Sequence, residues 1–289
     1  ETKTSAWRQI SARFSVLLWQ TVTVALAFNN NIAKNGGGVY LTGGQPNLYE
    51  GTLQGNVATS SGGGIYIDKQ LVKLAPTGSV KIIQNKAGYK QDGTESSFEG
   101  LGGAIYIGGN VGQDDACFTV DKNSLGTVLI DKNIAKTNGG GVCINNGYFT
   151  MDGTNVIVTN NQAESGGGVA VLAGDFNISN GSIGSEGNSN KAQNGGGVYV
   201  SGGNVLVTNS GAIKYNTAQI SGGGAYIANG NFTMIGGSVE NNNATSGNGG
   251  GLYVSADNKN VTVEILSGSF INNSAKQSGG ALAVVGNVG

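Results

Sequence analysis

Short runs of alternating apolar and polar residues recur along this chain, with glycines between them. Gly36 to Gly38 lead into Val39-Tyr40-Leu41, and the same apolar–aromatic–apolar triplet returns as Ile65-Tyr66-Ile67, Ile105-Tyr106-Ile107 and Val198-Tyr199-Val200. Period two over a few residues, rich in β-branched and aromatic side chains, predicts a strand. A second alternating run follows a turn, as in Phe149-Thr150-Met151, Phe176-Asn177-Ile178, Val205-Leu206-Val207, Phe232-Thr233-Met234 and Val261-Thr262-Val263. A third enters through Gly237-Ser238-Val239 and Gly268-Ser269-Phe270.

These runs belong to a repeat. Glycine pairs or triplets begin at Gly36, Gly62, Gly102, Gly139, Gly166, Gly195, Gly222, Gly249 and Gly279, at spacings of 26, 40, 37, 27, 29, 27, 27 and 30. The unit is about 27 residues with two long insertions. Ahead of each glycine group stands an asparagine, one free position and an alanine. The asparagines are Asn31, Asn56, Asn85, Asn133, Asn161, Asn190, Asn216, Asn242 and Asn273. An apolar residue usually lies three before the asparagine, for example Phe28, Leu53, Ile82 and Ile130.

A fixed period over nine units means a solenoid. Neither leucine-rich nor 3.6-residue periodicity is present, so the fold expected is all-β: a right-handed parallel β-helix of about nine coils with three short strands per coil. Successive coils lie about 4.8 Å apart, so equivalent side chains stack. A stacked asparagine column then passes amide hydrogen bonds from coil to coil and satisfies polar groups that would otherwise be buried unpaired. Glycine permits the tight corner and alanine fits where nothing larger can. The phrase is first a folding instruction.

The ends differ from the repeat. Trp7, Ile10, Phe14, Leu17 and Leu18 fall at helical spacing after Thr4 or Ser5 as an N-cap, which predicts an N-terminal helix over the first coil's edge. Thr21 to Leu26 leads into the first strand. Residues 1–27 are thus expected to form the cap helix and first strand, and 28–289 the repeat domain, continuing beyond Gly289 in a longer protein. Ser15 to Phe28 is too short and too polar to span a membrane; with Arg8 and Arg13 before it, a signal peptide is the alternative reading.

Composition narrows the chemistry. The chain has 289 residues with 53 glycines, 11% charged residues, a net charge of -1 and no histidine. That balance lacks the basic footprint of a nucleic-acid binder and the charge of a disordered chain. Its two cysteines, Cys117 and Cys143, form either one bridge or two small hydrophobes.

Gly102-Gly103-Ala104-Ile105 and Gly279-Gly280-Ala281-Leu282, together with Phe28 to Asn31 and Phe270 to Asn273, resemble the Gly-Gly-Ala-aliphatic and Phe-x-x-Asn motifs of the chlamydial polymorphic outer-membrane proteins. The resemblance covers about residues 28 to 284. It implies a β-helical passenger at a bacterial surface that acts as an adhesin. Most units here carry a third glycine in place of alanine and Ile, Val or Leu in place of Phe, and no outer-membrane barrel is visible.

Two sets of residues are candidates for binding. If Val39 and Leu41 point inward, Tyr40 points outward with Tyr66, Tyr106, Tyr199, Tyr226 and Tyr253. They form either an aromatic recognition face or a ladder of rings that stabilises the coils; a reversed pleat would bury them. The insertions supply Tyr89, Lys90, Asp92, Glu95, Phe98 and Glu99 in one loop and Asp114 and Asp115 in the next, as a partner-binding knob or a solvated excursion. Enzymes on this fold argue for a third class. Polysaccharide lyases resemble one another in using a basic residue beside acidic calcium ligands, and the coils hold no arginine. Hydrolases need paired carboxylates, and the only adjacent acids are Asp114-Asp115. The function expected is therefore non-catalytic, without metal or cofactor: an extracellular or cell-surface segment that binds a host or matrix protein or glycan. A passive spacer is the alternative, and neither nucleic acid nor a membrane-spanning segment enters.

Overall fold

The computed structural model describes residues 26–42, 48–68, 71–74, 76–109, 117–255 and 261–286. The expected cap helix, Asp114 and Asp115 lie outside these residues. The first described strand, Leu26–Asn29, crosses the expected boundary at residue 28.

Among the described residues every regular element is a strand, and every strand-to-strand pairing is parallel. Nine rungs stack, which makes eight turns from Asn31 to Asn273. One rung is typified by Thr127–Asp131, then Ile134–Ala135, then Val142–Met151. The last of these joins the strand after the glycines to the second alternating run. The asparagine phrase, expected as a corner, is itself a two-residue strand that pairs with the rungs above and below, as in Ile32↔Val57↔Lys86 and Ala33↔Ala58↔Ala87.

Alternation decides what lies inside. After the glycines the register runs Val39↔Ile65↔Ile105↔Val142↔Val169↔Val198 and continues through Ala225 and Leu252 to Leu282. These side chains and the aliphatic residues two positions on fill the interior, and from Ile65 to Leu252 they are buried. On the next face Phe118, Phe149, Phe176 and Phe232 are fully buried. Phe149 and Phe176 stack with ring centroids 5.2 Å apart.

The asparagines form one continuous buried column. Asn56, Asn85, Asn133, Asn161, Asn190, Asn216 and Asn242 expose no surface. At each of the eight steps the Nδ2 of one asparagine donates to the Oδ1 of the next, at 2.9 or 3.0 Å. The other Nδ2 proton goes back to the carbonyl of an apolar core residue one rung earlier, as from Asn161 to Ile130 at 3.0 Å. The chain thus satisfies an amide in a site from which water is excluded.

The glycine triplet divides its work. The first glycine takes positive φ in every unit, 68° at Gly139 for example. At the second the backbones of adjacent rungs touch: a Cβ at Gly63 would lie 2.3 Å from the Gly103 carbonyl oxygen. The third position is looser, with a Cβ at Gly64 meeting the Ala104 carbonyl oxygen at 2.8 Å. Alanine occupies it at Ala104, fully buried.

Candidate functional site

The tyrosines do stand on the outer side of the post-glycine strand, but they are not equivalent. Tyr40, Tyr66 and Tyr106 form one stack, with centroids 4.9 and 4.7 Å apart and planes 21° and 26° from parallel. Exposure falls along it, from 51% at Tyr40 to 8% at Tyr106. Tyr106 is packed into a second, smaller apolar cluster with Leu101, Cys143 and Ala170, outside the main core. Its ring lies over Gly108, and its hydroxyl accepts a hydrogen bond from Asn145 Nδ2 at 3.0 Å. Tyr106 is therefore closed to a ligand, a correction to its place on an open face: its neighbours up the column are a cysteine and an alanine, small enough for the ring to lie down over them. Burial, followed by the neighbouring Tyr106, pushes the Tyr66 phenol up to about 12. The second stack, Tyr199, Tyr226 and Tyr253, has centroids 5.6 and 4.7 Å apart and remains half-buried. In each stack the middle ring, Tyr66 or Tyr226, has a ring on both faces, whereas each end ring has a ring on one face only.

Cys143 is fully buried, and desolvation raises its thiol pKa. Cys117 is buried as well, and both are unpaired thiols.

The first insertion is a built knob. Tyr89 and Glu95 bridge as an antiparallel pair, Lys90 N donates to the Thr94 carbonyl at 2.8 Å, and Gly93 N to Lys90 at 3.0 Å. Asp92 accepts hydrogen bonds from the Thr94 hydroxyl and amide, at 2.6 and 2.9 Å, which holds its carboxyl below the usual range. The knob is fastened across four rungs. Phe98 lies under Lys34 Nζ of the first, 4.9 Å from the ring centroid. The Ser96 hydroxyl donates to the Thr59 carbonyl of the second. Lys86 of the third stands 5.8 Å over the Tyr89 ring. Lys136 of the fourth donates to the Ser96 carbonyl at 2.9 Å and lies 3.4 Å from Glu95. Glu99 adds its charge beside Cys143. Burial, then Glu95, raises the Tyr89 phenol pKa.

Sequence reasoning missed the groove that this knob closes. A depression of about 600 Å³ runs from Tyr89 and Glu95 along the segments that follow the asparagines in rungs four to eight, as far as Thr245. Its floor is the repeat's alanine column, here Ala135, Ala163 and Ala192. Its sides are the outward residues flanking each alanine, among them Lys136, Gln162, Glu164, Lys191, Gln193 and Gln219. The only signal for it in the sequence is the polar character of those positions. Among the described residues no group of three or more acids and cysteines is placed to hold a metal ion, and no helix is long and apolar enough to cross a membrane.

Residues 50–68 match the model of the Chlamydia polymorphic membrane protein repeat. That stretch contains Leu53, Asn56, Ala58, the Gly62 triplet and Ile65-Tyr66-Ile67: one pass of the phrase whose asparagine, alanine and first two glycines recur in all nine rungs. No curated protein and no solved structure is significantly similar to the chain. A β-solenoid carrying this repeat fits an adhesin-like surface passenger segment.

Proposed function

We propose that this chain is a non-catalytic segment of a bacterial surface protein that displays a binding surface towards a host or matrix protein or glycan. The observation that carries it is the knob of residues 88–100. A spacer needs only uniform rungs. Here a thirteen-residue excursion is held by hydrogen bonds, an ion pair and two cation–ring contacts to four successive rungs. Fixing a loop in one shape removes ordering entropy from a binding event. The test is binding of the purified chain to immobilised mucin, fibronectin, collagen and host cells, beside a variant lacking 88–100 and one with Tyr199, Tyr226 and Tyr253 changed to serine. Specific binding reduced in the first variant supports the reading. Absence of binding by a folded chain refutes it in favour of the spacer, which the unbroken asparagine column and mutually packed tyrosine rings also suit.

A further inference from the structure

We infer that the groove over rungs four to eight binds a linear, uncharged glycan laid along the solenoid axis. This deepens the binding reading above, on which it rests, by naming the site and the ligand chemistry.

Free hydrogen-bonding capacity is the first argument. Some exposed amides elsewhere on this solenoid are engaged with other side chains. Gln54 donates to Gln84 at 2.6 Å, Asn231 to Asn204 at 2.7 Å, and Asn204 to Asp175 at 2.6 Å. In the groove the side-chain amides of Gln162, Gln193 and Gln219 have no hydrogen-bond partner among the described residues. Each offers two donors and a two-lone-pair acceptor, the mixture that sugar hydroxyls complement. They come from three successive rungs and face the trough from both sides, Gln162 just before the alanine column and Gln193 and Gln219 just after it.

Charge and shape exclude other polymers. Lys136 is paired with Glu95 at 3.4 Å, and Lys191 has Glu164 on the adjacent rung. The groove thus carries two positive and two negative side chains, without the basic excess that a polyanion requires. Its apolar side-chain surface is confined to Ile134, Tyr89 and small alanines, too little to receive an amphipathic helix. Strand addition is closed as well, because the backbone of the floor is engaged between rungs: Gln162 N donates to Asn133 at 2.9 Å and Thr217 N to Asn190 at 3.0 Å. The alanine floor leaves a narrow trough. Five rungs at about 4.8 Å spacing give it a length of about 19 Å, room for several sugar units. At one end Tyr89 supplies an aromatic wall with a polar tip.

The test uses the full chain immobilised on a sensor, with dextran, mannan and soluble β-glucan as uncharged probes and heparin as the polyanion. Chain-coated beads on epithelial cells and on mucin or fibronectin run in parallel. The decisive variant is Gln162→Ala/Gln193→Ala/Gln219→Ala. All three positions are exposed, and equivalent sites in other rungs hold lysine or threonine, so the fold is expected to persist and is checked by circular dichroism. Gln54→Ala is the control outside the groove. The expected result is binding of an uncharged polysaccharide, weakened roughly tenfold or more in the triple variant through loss of several hydrogen bonds. Gln54→Ala leaves it unchanged and heparin does not compete. Adhesion that survives both the triple variant and periodate oxidation of target glycans overturns the groove proposal while the surface-binding reading stands. Polysaccharide binding unaffected by the triple variant overturns it too. Loss of adhesion to a deglycosylated protein in the triple variant makes the ligand a polypeptide and refutes the glycan. No adhesion to any cell, matrix protein or polysaccharide refutes both readings.

Discussion

Replacing Asn161 by alanine isolates the energetics of the asparagine column. Asn161 accepts hydrogen bonds from Asn133 N and Asn133 Nδ2, both at 2.9 Å, and donates to Asn190 Oδ1 and the Ile130 carbonyl, both at 3.0 Å. The substitution leaves two donors on Asn133 without an acceptor in a site that exposes no surface. Asn190 Oδ1 keeps the backbone donor of residue 161. Each of the two orphaned buried donors costs about 1–3 kcal/mol, so the total is about 2–6 kcal/mol. Asn31 is the internal control. It lies exposed at the start of the column and donates to Asn56 Oδ1, which still accepts from the backbone N of residue 31. Asn31→Ala is therefore expected to cost below about 1 kcal/mol. Urea unfolding of the two variants gives both numbers from the shifted midpoints, with the slope checked for loss of cooperativity between rungs. Equal costs at the two positions would refute the argument that burial, rather than hydrogen-bond count, gives the column its weight.

The triplet makes a second contrast: Gly63→Ala is expected to cost about 3 kcal/mol or more by driving two backbones apart, and Gly64→Ala less, about 1–2 kcal/mol, measured by thermal unfolding. Lys132 occupies left-handed backbone at φ 57°, where four other rungs place asparagine, so Lys132→Asn is expected to stabilise by about 0.5–1 kcal/mol in urea. Both thiols are buried, so Ellman's reagent at mildly alkaline pH is expected to modify neither in the native chain and both in denaturant; rapid native labelling would contradict the packing of Cys143 under Tyr106. The Tyr66 phenol is held at about 12 against 10.0 when unfolded, so its contribution is fully present below pH 10 and lost as pH rises from 10 to about 12; an ultraviolet titration should show phenolate forming later in the native chain than in denaturant.

Fold and site were unequally legible. The strands could be read because alternation and the glycine period are local, and the inward set from Ile65 to Leu252 lies where alternation puts it. The asparagine column was legible because stacking turns a repeat into a column. Less visible was the left-handed residue just ahead of it, which Asn30, Asn160, Asn241 and Asn272 advertise but Gln84, Lys132 and Tyr215 conceal. Burial of Tyr106 depended on the residues above it in the stack, Cys143 and Ala170, which lie distant in sequence. The groove depended on more still: outward side chains from five rungs had to be lined up, and an insertion from an earlier rung had to fold back over Lys136. Such juxtapositions leave no local pattern.

That inequality has a physical origin that bears on function. Each rung has inward columns held by the fold: an asparagine that must continue the amide chain, an alanine with no room for more, and a second glycine where backbones touch. It also has outward columns where one equivalent position holds Ile134, Gln162, Lys191, Thr217 and Asn243 in turn while the parallel register beneath is kept. Substitutions in those outward columns are nearly free of folding cost, since they touch neither ladder nor core. A surface protein built this way can change its recognition surface residue by residue while its scaffold stays intact. The alanine column is the consequence of folding that recognition exploits. Because each alanine points inward between two outward residues, a trough runs between the two variable columns over rungs four to eight.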